Sequence, residues 1–189
     1  MESTLHFAAI SGSLRAASIN TQLLKAAQKI LPEQVTMEHL SIMDIPFYNS
    51  DLDIPAVASR PDAVNYFREA LSKAHAIVIV SPEYNYSIPG ALKNAIDWAS
   101  RGQDSPLMNK PVALMGATPG LWGTVRMQQA FLPVFQFLNM IPVQKPEILI
   151  AQANTKFDDM GNLTDETAIE LIKQKLEALK ELALKYQQT

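Results

Sequence analysis

The chain of 189 residues has no cysteine. Disulfides, thiolate metal sites and cysteine nucleophiles are excluded, so any redox chemistry has to come from a bound cofactor. Histidine is scarce: His6, His39 and His75 lie far apart without paired carboxylates, and no metal site is expected. No apolar run approaches the roughly 18 residues needed to span a bilayer, and Met1 to Thr4 shows no basic stretch leading into an apolar one. A soluble, cytoplasmic protein with no membrane partner is the expectation. The net charge is only -3, with no basic footprint and no acidic tail, so nucleic acid is not expected as a partner. There is no internal repeat and no low-complexity segment. The glycines number 7, yet Gly12, Gly90, Gly116, Gly120 and Gly123 all fall at or near three loops that follow apolar strands.

What the chain does contain is an alternation of strand and helix patterns. Leu5 to Ile10 reads as a first strand, Thr21 to Leu31 as a helix, Val35 to Leu40 as a second strand and Asp62 to Ala74 as a second helix. Ala76 to Val80 is apolar throughout, the mark of a strand buried on both faces, and Ala91 to Trp98 returns to helical spacing. Pro111 to Gly116 makes a fourth strand, a helix from about Thr124 follows, and the fifth strand is placed near Glu147 to Ile150. Pro133 should kink or end that helix near Leu132. Thr164 is read as the cap of a last helix reaching Gln188, with Asp165 and Glu166 in its first turn and Lys180 and Lys185 toward its end. Ile169, Ile172, Leu176, Leu179, Ala183 and Tyr186 share one face, which suits packing on the sheet better than a coiled-coil seam. A length of 189 residues suits one α/β domain, residues 1–189, able to bury about 70% of its unfolded surface.

Two loops carry chemistry. Ser11 to Asn20, SGSLRAASIN, offers Gly12 for a tight turn, hydroxyls on Ser13 and Ser18, the fork of Arg15, and the free N–H groups of a helix starting near Ile19. Such a loop suits a phosphate, and equally an ordinary capped helix start. Pro82 to Gly90 is rich in Pro, Tyr and Asn and leads straight into a helix; it can hold a flat aromatic ligand at the carboxyl end of a buried strand, where open α/β sheets bind ligands.

Together the two segments resemble the NADPH-dependent FMN reductase family of flavodoxin-like flavoenzymes, which includes quinone, chromate and some azo reductases. The motif G-S-x-R-x-x-S-x-N is matched by Gly12, Ser13, Arg15, Ser18 and Asn20, and P-x-Y-N-x-S-x-P-G-x-L-K-N-x-I-D-W by Pro82 through Trp98. The similarity runs over roughly Phe7 to Ile150. It implies a doubly wound, five-stranded parallel sheet of order 2-1-3-4-5 with helices on both faces. It also implies FMN as the bound cofactor and NAD(P)H as co-substrate. Ser13, Arg15, Ser18, Ile19 and Asn20 would hold the phosphate, and Pro82, Glu83, Tyr84, Asn85 and Tyr86 would line the ring. Thr118 and Gly120, in the loop after the fourth strand, would form a third wall. The flavin would carry the reaction, a hydride passing by way of N5 to quinones, free flavin or similar acceptors in a ping-pong cycle, with no side chain needed as general acid or base. A homodimer or homotetramer is implied as well. The alternative is a flavodoxin-type electron carrier that does not oxidise NAD(P)H, although Arg15 and the near-balanced charge depart from that pattern.

Other residues stay open between two readings. Many relatives have adjacent glycines late in the third loop, where this chain has Gly123 followed by Thr124; Trp122 either stacks near the ring or packs under the loop. Phe47 and Tyr48, within the irregular stretch Ser41 to Pro61, either anchor a partner subunit or fold back on the sheet edge. Arg101 to Lys110 reads as a solvated crossing loop bordering the site. Glu83 is expected to point outward or to contribute only its backbone, because a carboxylate beside the ring would disfavour the anionic reduced flavin. Lys93 and Asp97 are read as a solvated pair.

Overall fold

The structure is a computed structural model describing residues 4–187, so the reading of the amino terminus as leaderless and the far end of the last helix at Gln188 lie outside the described residues. The strands are β1 (Leu5–Ser11), β2 (Val35–Leu40), β3 (Ala76–Val80), β4 (Pro111–Ala117), β5 (Ile141–Pro142) and β6 (Ile148–Ile150). The helices are α1 (Ile19–Lys29), α2 (Asp62–Lys73), α3 (Gly90–Ala99), α4 (Val125–Phe137) and α5 (Glu166–Gln187). All pairings are parallel, in the order β2-β1-β3-β4-β5, with β6 also on β4. This is the expected flavodoxin-like order.

The layering follows from strand alternation. In β1, Phe7 and Ala9 point to one face and Ala8 and Ile10 to the other, and in β3 Val78 and Val80 oppose Ile77 and Ile79. The first set packs under α1 and α5 through Leu23, Leu24, Ile172 and Leu176. The second packs under α2, α3 and α4 through Phe67, Leu71, Leu92, Ile96, Met127 and Phe131. Every residue of β3 and β4 is buried, as the unbroken apolar runs require.

Five details differ from expectation. The strand expected near Glu147 to Ile150 is present as β6 on the end of β4, but an additional strand, Ile141 and Pro142, pairs with the start of β4. Pro142 and Pro146 have no N–H to donate, so one continuous ladder cannot form there. Next, α4 runs through Pro133 to Phe137 instead of stopping at Leu132; Phe131 and Phe135, stacked at 5.2 Å and buried, hold both sides of the proline. Asp165, not Thr164, caps α5: its Oδ1 accepts from the Ala168 N–H at 2.7 Å, while Thr164 bonds the Lys156 carbonyl. On α5, Tyr186 is 48% exposed and falls outside the core face. Finally, residues 101–110 enter β4 at its amino end, opposite the edge where ligands bind, and Ser105, Pro106 and Leu107 are buried.

The stretch Ser41 to Pro61 is not structureless. It contains a 3-10 turn, Ser50–Leu52, and is tied to α3 by Asn94, which donates to the Pro46 carbonyl and accepts from the Tyr48 N–H. Trp98 Nε1 donates to the same carbonyl at 2.8 Å, and the Tyr48 ring meets the Trp98 ring edge-on at 4.8 Å. Tyr48 therefore folds back, whereas Phe47 is 86% exposed.

Candidate functional site

The Ser11 loop and the Pro82 turn leave the sheet side by side, because Ser11 is registered against Val80 and the Gly12 N–H donates to the Val80 carbonyl at 2.9 Å. Gly12 is required sterically: a Cβ there would overlap the Ser81 side chain and lie 2.9 Å from Leu92 Cδ2. Ser18 caps α1, its hydroxyl accepting from the Thr21 N–H at 3.3 Å. The N–H groups of Ile19 and Asn20, ahead of that bond, have no partner within the helix, the kind of helix start that can receive an anion. Ser13 is half-buried, with its hydroxyl 3.4 Å from the Arg15 N–H, and Arg15 is exposed.

Asn20 does something the sequence did not suggest. Buried on the first turn of α1, it spends its side-chain amide on one residue, donating to the Ala117 carbonyl and accepting from the Ala117 N–H, both at 2.9 Å. Its side chain locks the end of β4 to the phosphate-type loop, and only its backbone N–H is left for a ligand.

Tyr84 to Ser87 close a two-residue turn with reciprocal backbone bonds of 3.1 and 2.9 Å. Asn85 and Tyr86 are both left-handed, at φ 49° and 64°, the signature of a type I′ turn. Left-handed tyrosine is strained, and such strain concentrates at functional sites. The turn holds Tyr84 and Tyr86 51% and 69% exposed beside the half-buried Pro82.

Glu83 is neither outward nor idle. Its Oε2 accepts from the N–H groups of Arg126 and Met127 at 2.9 and 3.1 Å, capping α4 from another element of the fold. No side chain of α4's own segment caps it, and no acidic residue lies in its first turn, so Glu83 supplies what the helix lacks. Arg126 completes the cluster: its guanidinium lies 3.8 Å from Glu83 Oε1, 4.0 Å from the Tyr86 ring centroid and 5.3 Å from that of Trp122. Trp122 thus stands over the cation, 66% exposed, instead of packing under its loop. Sequence reading missed Arg126, though a lone cation in a helix's first turn, where the dipole disfavours it, was a usable signal.

Thr118 and Gly120 sit on the third wall. The Thr118 N–H donates to Ile150, and the Thr118 and Gly120 carbonyls accept from Ala153 and Gln152 at 3.0 and 2.9 Å. Gly123 is left-handed at φ 57°, and a Cβ would come within 2.7 Å of the Leu149 backbone. Thr124 is left-handed too, at φ 69°, and its buried hydroxyl has no hydrogen-bond partner among the described residues. A β-branched residue in that conformation is disfavoured by about 1 to 2 kcal/mol, and the orphan hydroxyl adds to the cost. Thr124→Gly is expected to stabilise the fold by about 1 kcal/mol net of lost packing, read as a rise of about 2 to 4 °C in melting temperature. An unchanged or lower melting temperature contradicts the strain.

The site therefore combines a helix entrance whose first N–H groups have no intrahelical partner, an aromatic turn beside it, and a third loop pinned to both, at the carboxyl edge of a flavodoxin-like α/β sheet. The chain belongs to the NADPH-dependent FMN reductase family, whose model matches residues 5–155. It is 44% identical over 170 residues to an NAD(P)H-dependent FMN reductase of Pseudomonas aeruginosa, covering 90% of each chain. It is 36% identical over 183 residues to the quinone reductase of Escherichia coli K12, covering 96% of each. Among solved structures, the flavoenzyme NAD(P)H:(acceptor) oxidoreductase FerB of Paracoccus denitrificans superposes with a TM-score of 0.85 at 30% identity, over 96% of this chain and 98% of that one.

Proposed function

We propose that this chain is an FMN-dependent NAD(P)H oxidoreductase that reduces quinones, free flavin or similar acceptors. The observation that carries the reading is the juxtaposition of the Ser11–Val80 register: a phosphate-type loop and an exposed aromatic turn leave neighbouring strands at one edge. FMN, held by these loops, would supply the redox chemistry, hydride transfer from NAD(P)H to the acceptor in a ping-pong cycle, while the chain binds and orients it.

The residues present fit that group. Ser13, Arg15, Ser18 and the N–H groups of Ile19 and Asn20 bind the phosphate, with the α1 dipole favouring its charge. Pro82, Tyr84, Asn85 and Tyr86 flank the ring on one side and Thr118 and Gly120 on another. Glu83 holds the turn in place through α4 and, with its charge offset by two N–H donors and Arg126, leaves no free carboxylate to oppose a negative charge on the ring. No side chain serves as general acid or base. Arg15, in a loop without acidic residues, gives the phosphate end of the rim a positive character, which suits anionic nucleotides better than the acidic rim of an electron carrier.

The further assignments belong to the same reading. Residues 1–189 act as one cytoplasmic domain that takes small-molecule acceptors and binds neither membrane nor nucleic acid. Phe47 and Phe137, 86% and 81% exposed in one chain, support a homodimer or homotetramer.

Anaerobic addition of NADPH to the FMN-loaded protein should bleach the flavin band within seconds, and a quinone should restore it. A protein that takes up FMN but is inert to both NADH and NADPH would be a carrier instead. Arg15→Ala should weaken FMN binding by about 1.5 to 3 kcal/mol, the value of a hydrogen bond to a charged group; an unchanged dissociation constant removes Arg15 from the phosphate site.

A further inference from the structure

Lys175, on α5, is only 2% exposed. Its ammonium carries three donors, and among the described residues its one hydrogen bond goes to the Val143 carbonyl. Glu147, the nearby carboxylate, is committed to Lys145 at 2.9 Å and makes no ion pair with Lys175 among the described residues. Burial pushes the Lys175 amine down to about 8, Glu147 pulling it back up and Lys145 pushing it further down. A buried cation so poorly satisfied is costly, and an anionic acceptor reaching it would relieve that cost.

There is room for one. Lys175 lines a cavity of about 300 Å³ between α4, α5 and the split edge of β5 and β6. The other walls are mainly apolar, Leu114, Leu132, Phe135 and Leu149 among them, with the amides of Gln129 and Gln144 and the Lys145–Glu147 ion pair at the exposed rim. That volume is at the lower end for small-molecule sites. Lys175 is the one buried cation of the lining, and the exposed Lys145 and Glu147 offset each other's charge; one net positive charge beside apolar walls matches a monoanion with a hydrocarbon body, whereas a phosphate dianion would also meet the Glu147 carboxylate.

We propose that this cavity is a second ligand site, distinct from the loops at the carboxyl edge, which takes a small organic carboxylate with an apolar body, its carboxylate on Lys175. The cavity reaches Val125 and Gln128, the neighbours in sequence of the Arg126 and Met127 N–H groups that Glu83 caps. An occupant therefore touches the helix on which the aromatic turn is anchored.

The test is calorimetric titration of the full chain with sodium octanoate at pH 7, with and without FMN; the proposal does not depend on FMN uptake. One octanoate per chain is expected, bound equally with and without FMN. Lys175→Met should weaken it at least tenfold with FMN affinity unchanged. Leu132→Trp, which narrows the cavity mouth at a residue 57% exposed and hence tolerant of change, should weaken it as well. Inorganic phosphate in place of octanoate should give no binding. The proposal is overturned if octanoate does not bind, if both variants bind it as the parent does, if FMN displaces it, or if phosphate binds equally well.

Discussion

Replacing Asn20 by Ala is expected to lower the unfolding free energy by about 2 to 5 kcal/mol, because it strands two buried backbone groups, each worth about 1 to 3 kcal/mol when left unpaired. Asn20 is 4% exposed, and the Ala117 N–H and carbonyl both depend on its amide. Water cannot readily replace it, since Ala117 is itself 2% exposed at the end of the fully buried β4. Asn20→Asp separates the two bonds: the carboxylate still accepts from the N–H but turns a second acceptor toward the carbonyl, so it should lie close to the alanine variant in stability. Equilibrium urea unfolding followed by circular dichroism measures both. A loss below about 1 kcal/mol in Asn20→Ala would mean that the bridge is not structural. Because the bridge joins the α1 entrance to the Thr118 loop, FMN affinity should fall in the same variant even under conditions where it remains folded.

Lys175→Met should move stability the other way. The folded-state pKa of about 8 against an ordinary 10.5 means that protonation favours the unfolded chain, at on the order of 3 kcal/mol at neutral pH. For a depressed lysine the cost is fully present below about 8 and is relieved as pH rises through 10.5, well above which the amine is neutral in both states. The parent should therefore gain stability between pH 8 and 10. Lys110, also lowered by burial, contributes in the same direction and is common to both proteins. The variant's advantage should be largest near pH 7 and shrink toward zero across that window, which paired urea titrations at pH 7 and 10 will show. A constant difference at both pH values would assign the effect to packing.

Several local readings of the chain fared differently for physical reasons. The unbroken apolar runs of β3 and β4 and the spacing of α5 carried enough signal to place the parallel sheet and its covering helix. Pro133 misled, because the helix interior tolerates it once Phe131 and Phe135 are packed on either side. The strand expected near Glu147 to Ile150 is β6, whereas β5 went unread because two residues ending in a proline carry no alternation. Ser18 caps α1, which agrees with the reading of that loop as a capped helix start. Glu83 and Arg126 could not be paired in advance: 43 residues separate Glu83 from the N–H it caps.

The sequence by itself determined the strand and helix alternation, the phosphate-type loop, the aromatic turn and the resemblance that names their family, because these signals lie within segments of about ten to twenty residues. Only the tertiary structure decided that Asn20 serves Ala117, that Glu83 caps α4, that Tyr86 and Trp122 share Arg126, and that Lys175 ends in an apolar cavity. Each of those contacts joins side chains whose meeting depends on how helices cross the sheet, and no local periodicity encodes that crossing.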